Sequence, residues 1–309
     1  MKNRTYRIIM LLLLLAGFST GHTQETDKKT VRLFLIGNSF SQNATRYLPQ
    51  LAKEGGFALS IGRAELGGCS LQRHWELVEA AEAGDPKGKA YNGKSLKELL
   101  GSGTWDVVTL QQASILSGDS NTYKPYARKL VEYIHRLQPT ATILLHQTWP
   151  YRTDAPSFSQ ISGGGHAQSA EAMWKQSRAA YHTTAAALQL FLIPVGDAFF
   201  AAQQKRNTAF EKDASFKPGQ AVFPDLPDQA HSLHVGYFYN KKKELDLDTH
   251  HASAAGCYLA GLVWYKVLFG ASPLRTVFKP DTVGDGFAKE LRIIADRVAS
   301  GTDHAQVRR

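Results

Sequence analysis

The chain has 309 residues, of which 36 are basic and 27 acidic, so its formal net charge at pH 7 is +9. Its basic residues are scattered apart from the run 241–243, whereas a nucleic-acid-binding protein usually shows a basic stripe and a known motif, so we expect no nucleic-acid partner. No Cys-x-x-Cys pair is present, which excludes a zinc ribbon. We interpret Cys69 and Cys257 as small buried thiols, and a disulfide between them is the alternative that an oxidising compartment would allow.

Residues 1–24 have the pattern of a secretory signal peptide, with basic residues, then an apolar run at 8–18, then small polar residues. The apolar run is too short to span a bilayer comfortably, although an uncleaved anchor is the alternative. We therefore expect an exported protein, periplasmic or extracellular, without a stable membrane span in its mature form. Cleavage would remove three basic residues and leave 33 basic against 27 acidic residues, or +6. A short linker at 25–30 then leads to one predicted domain at 31–309.

Strand-like and helix-like patterns alternate along the rest of the chain. Short runs rich in Val, Ile and Leu are typical of strands buried on both faces. They predict strands at 31–36, 105–110, 141–147 and 190–195, with a weaker one at 57–65. Patterns of helical period predict helices at 44–54, 70–83, 94–101, 122–137, 167–188, 252–269 and 284–299. This alternation predicts a three-layer α/β/α sandwich with a mostly parallel sheet. Two segments, 151–166 and 206–247, are expected to be largely irregular.

The first predicted strand ends in Gly37-Asn38-Ser39. Ligands of open α/β sheets bind at the carboxyl ends of the strands, so this position suits a nucleophilic serine. The alternative is an ordinary turn, in which Ser39 or Ser41 caps the following helix. A serine nucleophile needs a base that is oriented by a third group, and Asp248 and His251 can supply both. His250 is the rival base, but the spacing from the aspartate favours His251.

Four short blocks, in order, carry a resemblance to a known family. They are "LIGNSF" at 35–40, "GGCSLQRHW" at 67–75, "LQ" at 110–111 and "HASAAGCYLAG" at 251–261. Together they resemble the GDSL/SGNH hydrolase superfamily, and more closely its exported bacterial branch that is described only as a domain of unknown function. The resemblance covers nearly the whole mature chain, and it implies the flavodoxin-like SGNH hydrolase fold.

The resemblance also implies a role for individual residues. Ser39 matches the nucleophile, and its backbone N–H matches one donor to the oxyanion. Gly68, or its neighbour Gly67, matches the glycine whose N–H is the second donor. Asp248 and His251 match the remaining members of the catalytic triad. The expected enzyme needs no cofactor and no metal.

The third block departs from the superfamily pattern. Most SGNH enzymes have Gly-x-Asn-Asp there, and the Asn side chain completes the oxyanion hole, but this chain has "LQQAS" with Ala113 at the Asn position. Gln111 or Gln112 could supply an amide donor, and we prefer Gln111 because it matches the "LQ" of the resembling branch. Alternation along a strand predicts that the two side chains point to opposite sides.

Further residues are candidates for the same cleft, although histidine and tryptophan at such positions are as readily core residues. They are Gln112, His146, Trp149 and His250. We predict a serine esterase that removes acyl or acetyl groups from a small-molecule or oligosaccharide ester, with carbohydrate as the preferred substrate. The missing block motivates an alternative, a non-catalytic carbohydrate-binding protein on the same fold. A second alternative is a metal-dependent hydrolase that uses Asp246, Asp248, His250 and His251.

Overall fold

The computed structural model describes residues 30–301, so the predicted signal peptide at 1–24 and nearly all of the linker at 25–30 lie outside the described residues. A five-stranded parallel sheet forms the centre. Its strands are β1 (Thr30–Gly37), β2 (Ala58–Glu65), β3 (Val107–Leu110), β4 (Thr142–His146) and β5 (Phe191–Ile193). Their order across the sheet is β2-β1-β3-β4-β5, which is the order of flavodoxin-like folds.

Helices cover both faces of this sheet. On one face lie α1 (Ser39–Ala44), α2 (Leu48–Glu54), α7 (Val195–Gln203), α8 (Ala254–Phe269) and α9 (Asp285–Ala299). On the other lie α3 (Leu71–Glu82), α4 (Leu96–Leu100), α5 (Tyr126–Leu137) and α6 (Ala170–Leu188). Side chains of β1 alternate between the two cores, with Leu33 and Leu35 in the first and Phe34 and Ile36 in the second. The predicted three-layer sandwich is therefore confirmed.

Three local predictions need correction. The helix expected at 44–54 begins only at Leu48, next to a proline in its first turn, and a separate short helix, α1, precedes it at Ser39–Ala44. The strand expected at 190–195 ends at Ile193, and α7 follows directly because Pro194 stands before its first turn. An antiparallel hairpin, β6 (His234–Tyr239) and β7 (Leu245–Ala252), occupies part of the segment expected to be irregular. Its two strands are joined by the short loop 240–244 and are only partly buried, so they lack the continuous apolar run that marks the strands of the central sheet.

The described residues also bear on two other expectations. Cys69 and Cys257 are buried and free, which confirms their interpretation as buried thiols. Within residues 30–301 there is no helix whose length and apolar character would let it cross a membrane.

A buried arginine fastens the β6–β7 hairpin to the sandwich. The Arg152 guanidinium donates to both carboxylate oxygens of Asp154 over 2.6 and 2.9 Å, and to Gln229 Oε1 over 2.7 Å. Its backbone N–H donates to the carbonyl of Thr249 in β7 over 2.8 Å. Gln229 in turn bonds both the N–H and the C=O of Tyr237 in β6. Both strands of the hairpin are thus anchored to one buried side-chain cluster.

Gly236 lies where this cluster meets β6. It has φ of +74°, and a Cβ atom at this position would overlap Gln229 Oε1 and Arg152 Nη1. Only glycine adopts this backbone conformation freely, and only glycine leaves room for the two side chains.

We expect Gly236→Ala to lower the free energy of unfolding by about 2 kcal/mol or more, because backbone strain and steric overlap add. Urea unfolding measures the change. Gly219→Ala is the matched control, since nothing lies within 4 Å of its added Cβ atom and its φ is not positive; it should stay within about 0.5 kcal/mol of the parent. Equal stability of the two variants would contradict this account of the hairpin.

Candidate active site

Ser39 stands at the carboxyl end of β1, as the first residue of α1. The preceding residue, Asn38, is the N-cap, and its Oδ1 accepts the N–H of Phe40 over 3.0 Å. Neither Ser39 nor Ser41 therefore caps this helix. The Ser39 hydroxyl remains available for other partners, at the edge of the sheet where ligands of such folds bind.

The hydroxyl of Ser39 contacts the imidazole of His251, which lies in strand β7 of the hairpin. Ser39 Oγ lies 2.9 Å from His251 Nε2, and His251 Nδ1 lies 2.7 Å from Asp248 Oδ2. Because the carboxylate accepts at Nδ1, that nitrogen carries the proton, and Nε2 is left to accept from the serine hydroxyl. Three residues predicted from sequence thus come together in the order carboxylate, imidazole, hydroxyl.

Asp248 is held as an anion. Burial by itself raises the pKa of its carboxyl, but hydrogen bonds from the His251 side chain and from the backbone N–H groups of His251 and His250 outweigh burial. The pKa of Asp248 therefore lies well below its usual range. A permanent negative charge beside Nδ1 fixes the tautomer of His251 and stabilises its protonated form.

His250 occupies the other side of the same carboxylate. Its Nδ1 is 3.3 Å from Asp248 Oδ1, and its ring faces Tyr151 with the centroids 5.6 Å apart. Burial lowers the pKa of His250, more than the carboxylate raises it. Although both residues are described, no hydrogen bond joins His250 to Ser39. The geometry therefore favours His251 as the base.

The Asp248, His250 and His251 side chains could also hold a metal ion, since their ligand atoms lie within 4.8 Å of one another. Asp246, the fourth residue of the predicted metal cluster, instead accepts a hydrogen bond from Asn240 over 3.0 Å. Both ring nitrogens of His251 already have partners, so a metal here would compete with the contact to Ser39.

The resemblance implies that the N–H groups of Ser39 and Gly68 are the two backbone donors to an oxyanion. Gly67 and Gly68 are exposed in the turn after β2, and Gly68 has φ of +63°. Asn38 Nδ2 donates to the carbonyl of Cys69 over 3.0 Å and thereby ties this turn to Ser39. Within the described residues, no acceptor contacts the N–H of Ser39 or of Gly68. Both N–H groups are free to bind an oxyanion.

The two glutamines after β3 point to opposite sides, as predicted. Gln111 Nε2 donates to Asn38 Oδ1 over 2.6 Å, and its Oε1 lies 3.0 Å from His146 Nδ1. Gln112 Oε1 accepts the N–H of Leu71 over 3.1 Å. Both side chains are buried, so neither amide opens onto the site. The expectation that Gln111 donates directly to the oxyanion is corrected, because Asn38 lies between them, and Gln112 is not a cleft residue.

His146 and Trp149 are also core residues rather than cleft residues. His146 is 1% exposed and Trp149 is 0% exposed. The Trp149 ring is stacked between Phe40 and Phe199, with centroids 4.3 and 4.7 Å away, and its Nε1 donates to the carbonyl of His250 over 2.9 Å. It therefore packs beneath both the turn that contains Ser39 and the strand that carries His250 and His251, which leaves no ring face for a sugar.

His74 lies in the block 67–75, and the family resemblance implies no role for it. His74 is buried, with Nε2 3.2 Å from the carbonyl of Gly37 and Nδ1 2.7 Å from the Tyr91 hydroxyl. A carbonyl can only accept, so Nε2 carries the proton and Nδ1 accepts from the tyrosine. Burial lowers the pKa of His74 to about 4, which keeps the ring neutral beneath the turn that contains Ser39.

Comparison with known proteins agrees with this fold. Among solved structures, the chain is similar to a DUF4886 family protein from Bacteroides uniformis, with a TM-score of 0.65 and 23% identity over 87% of this chain and 95% of that one. It is more remotely similar to a candidate SGNH hydrolase from Slackia heliotrinireducens (TM-score 0.45, 19% identity, 77% and 98% covered). An acetyl xylan esterase, AlAXEase, is also similar (TM-score 0.39, 13% identity, 57% and 83% covered).

No curated protein matches the chain. A family model, described as a domain of unknown function, DUF4886, matches residues 32–218. This match spans more than half of the 309 residues. The predicted membership of a branch of unknown function is thereby confirmed, and the chain belongs to the DUF4886 family.

Proposed function

We propose that this protein is an exported serine esterase that hydrolyses acyl esters through Ser39, His251 and Asp248. The observation that carries the proposal is the continuous line of hydrogen bonds from Asp248 Oδ2 through His251 to Ser39 Oγ, with lengths of 2.7 and 2.9 Å. Nucleophile, base and orienting carboxylate within hydrogen-bond reach are what acyl transfer by a serine requires. The pattern of residues 1–24 supports export.

In the first half of the reaction, Ser39 Oγ attacks the carbonyl carbon of the ester and its proton passes to His251 Nε2. The carbonyl oxygen becomes an oxyanion, which the N–H groups of Ser39 and Gly68 bind. When the tetrahedral intermediate collapses, the alcohol leaves with the proton from His251, and the acyl group stays on Ser39.

In the second half, His251 Nε2 takes a proton from water, and the resulting hydroxide attacks the acyl carbon. The second tetrahedral intermediate collapses with proton transfer from His251 to Ser39 Oγ, which releases the carboxylic acid and restores the hydroxyl. Asp248 remains a carboxylate throughout, and it stabilises the imidazolium that forms in both halves.

The surroundings of Ser39 support an ester group carried on a larger molecule. Ser39 is partly exposed, and Gly67 and Gly68 are exposed beside it. A cavity of about 340 Å³ lies nearby, lined by residues that include Tyr151, Phe199 and His234, but Ser39 is not part of its lining. A nucleophile on an open edge suits a small acyl group that projects from a bulky alcohol, and we propose acetyl or another short acyl group on carbohydrate.

The decisive prediction concerns the nucleophile. We expect the mature protein to turn over p-nitrophenyl acetate and to form a fluorophosphonate adduct on Ser39. Ser39→Ala should abolish the adduct and lower kcat by about 10⁴-fold or more, since only binding and the oxyanion donors remain. Ser60→Ala, which changes an exposed serine of β2, should behave like the parent. Absence of both adduct and turnover would favour the carbohydrate-binding alternative.

The choice of base is tested by a matched pair of neighbouring substitutions. His251→Gln should lower kcat by about 10⁴-fold, because it removes the proton acceptor, whereas His250→Gln should change kcat by less than about tenfold. Steady-state kinetics on the same ester measures both effects, and the opposite ranking would assign the base to His250.

Excess chelator should leave the rate unchanged; a loss that added metal restores would instead indicate the metal-dependent hydrolase.

We expect Asp248 both to orient the His251 ring and to stabilise the folded protein. Asp248→Asn should lower kcat by about 10⁴-fold, because an amide no longer holds the required tautomer of His251. A lowered carboxyl pKa contributes stability above the ordinary value of about 4, and this contribution is lost as the pH falls through the folded-state pKa. Thermal unfolding should therefore show a stability gap between the parent and Asp248→Asn at pH 7 that closes in strong acid. A gap of constant size would contradict the lowered pKa.

A further inference from the structure

We infer that Gln111 and His146 are positioning residues for this esterase, because with Asn38 they form a buried chain of hydrogen bonds that sets the turn containing Gly68 against Ser39. The inference rests on the proposed function. In most SGNH enzymes the Asn of the Gly-x-Asn-Asp block binds the oxyanion directly. Here Gln111 and His146 would instead support the oxyanion site from within the core, without contacting the substrate or the oxyanion.

The chain of hydrogen bonds runs across the carboxyl edge of four neighbouring strands. His146 Nδ1, at the end of β4, lies 3.0 Å from Oε1 of Gln111, which follows β3. Gln111 Nε2 lies 2.6 Å from Oδ1 of Asn38, which follows β1. Asn38 Nδ2 lies 3.0 Å from the carbonyl of Cys69, in the turn after β2. All four residues are at most 4% exposed, so water does not compete for these bonds.

Backbone groups determine the direction of every bond in this chain. The N–H of Phe40 can only donate, so the atom of Asn38 that it contacts is the oxygen. The Cys69 carbonyl can only accept, so the other atom is the amide nitrogen. Gln111 must then present Nε2 to the Asn38 oxygen, which turns its own oxygen towards His146. His146 Nδ1 must therefore carry a proton.

His146 is well suited to be a neutral donor. Burial lowers its pKa to about 3, so the ring is uncharged over the pH range in which a histidine base works. Within the described residues its Nε2 has no hydrogen-bond partner, and the ring packs edge-on against Trp264 with the centroids 5.1 Å apart. As a neutral donor, His146 fixes the direction of the Gln111 amide without adding a charge to this buried region.

Close packing around Gln111 and Asn38 holds the middle of this series of hydrogen bonds in place. A Cβ atom on Gly37 would lie 3.0 Å from Gln111 Oε1 and 2.6 Å from Ser41 Oγ, so the end of β1 rests directly on the glutamine. Asn38 both caps α1 below Ser39 and holds the carbonyl of the residue after Gly68. If Gln111 is lost, Asn38 can rotate, and the N–H groups of Ser39 and Gly68 lose their fixed spacing.

Four variants test the inference, with Gln138→Leu as the matched control. Gln138 is also a buried amide that bonds backbone groups, those of Leu100, Gly103 and Trp105, but these lie at the opposite edge of the sheet. The other three variants are Gln111→Leu, His146→Phe and their combination. Each should unfold at a lower temperature than the parent, because each leaves buried polar groups without partners.

The kinetic constants separate positioning from stability. Gln111→Leu should lower kcat on p-nitrophenyl acetate by about 10- to 100-fold with KM within about twofold, because the loss falls on transition-state binding. His146→Phe should lower kcat by a smaller factor, and the double variant should be no worse than Gln111→Leu alone. Gln138→Leu should keep the parental kcat. A folded Gln111→Leu with parental kcat, or a double variant equal to the product of the singles, would overturn the inference.

A readout that needs no activity is the tautomer of each histidine in ¹⁵N-labelled protein. His146 should be neutral with its proton on Nδ1, whereas His74 should be neutral with its proton on Nε2. An Nε2-protonated or charged His146 at neutral pH, in a protein that turns over esters, would overturn this chain of hydrogen bonds alone. A parent protein whose Ser39 does not react would overturn the proposed esterase and, with it, the positioning role.

Discussion

The Asn38 side chain is the contact on which the rest of the site depends. One amide caps the helix that begins at Ser39, holds the carbonyl of Cys69 and accepts from Gln111. Ser39 and the turn at Gly68 come from different strands, and this buried amide joins them. Hydrogen bonds inside a protein are strong only when every partner is satisfied, and here each amide atom of Asn38 has one. Because the ends of neighbouring strands meet at this amide, the turn at Gly68 is held in a fixed position relative to Ser39.

His251 reaches Ser39 from a distant part of the sequence. Ser39 and His251 are 212 residues apart in sequence, yet the N–H of Ala252 donates to Asn43 Oδ1 in α1 over 3.0 Å. The short helix that begins at Ser39 therefore also anchors the strand that carries His251. Arg152 secures that strand from its other side through Thr249. With two anchors on β7, the separation between Ser39 and His251 does not depend on the exposed tip of the hairpin.

Burial separates the histidines of this region into two kinds. His74 and His146 are 0% and 1% exposed, have lowered pKa values, and bond to neutral groups, so each serves as an uncharged donor of fixed direction. His251 is partly exposed, and its ring contacts the Asp248 carboxylate on one side and the Ser39 hydroxyl on the other. Histidine thus has two uses in this region. His74 and His146 are buried, neutral and structural, whereas His251 contacts Ser39 and is the base of the proposed reaction.

The apolar runs along the chain were enough to predict four strands of the sheet, because buried parallel strands are nearly continuous in Val, Ile and Leu. The pattern for β2 was weaker, because β2 lies at the edge of the sheet and is only partly buried. The blocks around Ser39, Gly68 and His251 were likewise enough to name the residues that meet at the site. The β6–β7 hairpin was missed because its strands are only partly buried and carry no continuous apolar run. The true positions of Gln111, His146 and Trp149 could not be predicted for a different reason. Their burial and the direction of their hydrogen bonds depend on contacts between strands that are far apart in sequence. The local sequence around a polar residue at a strand end does not show whether its side chain faces solvent or the core.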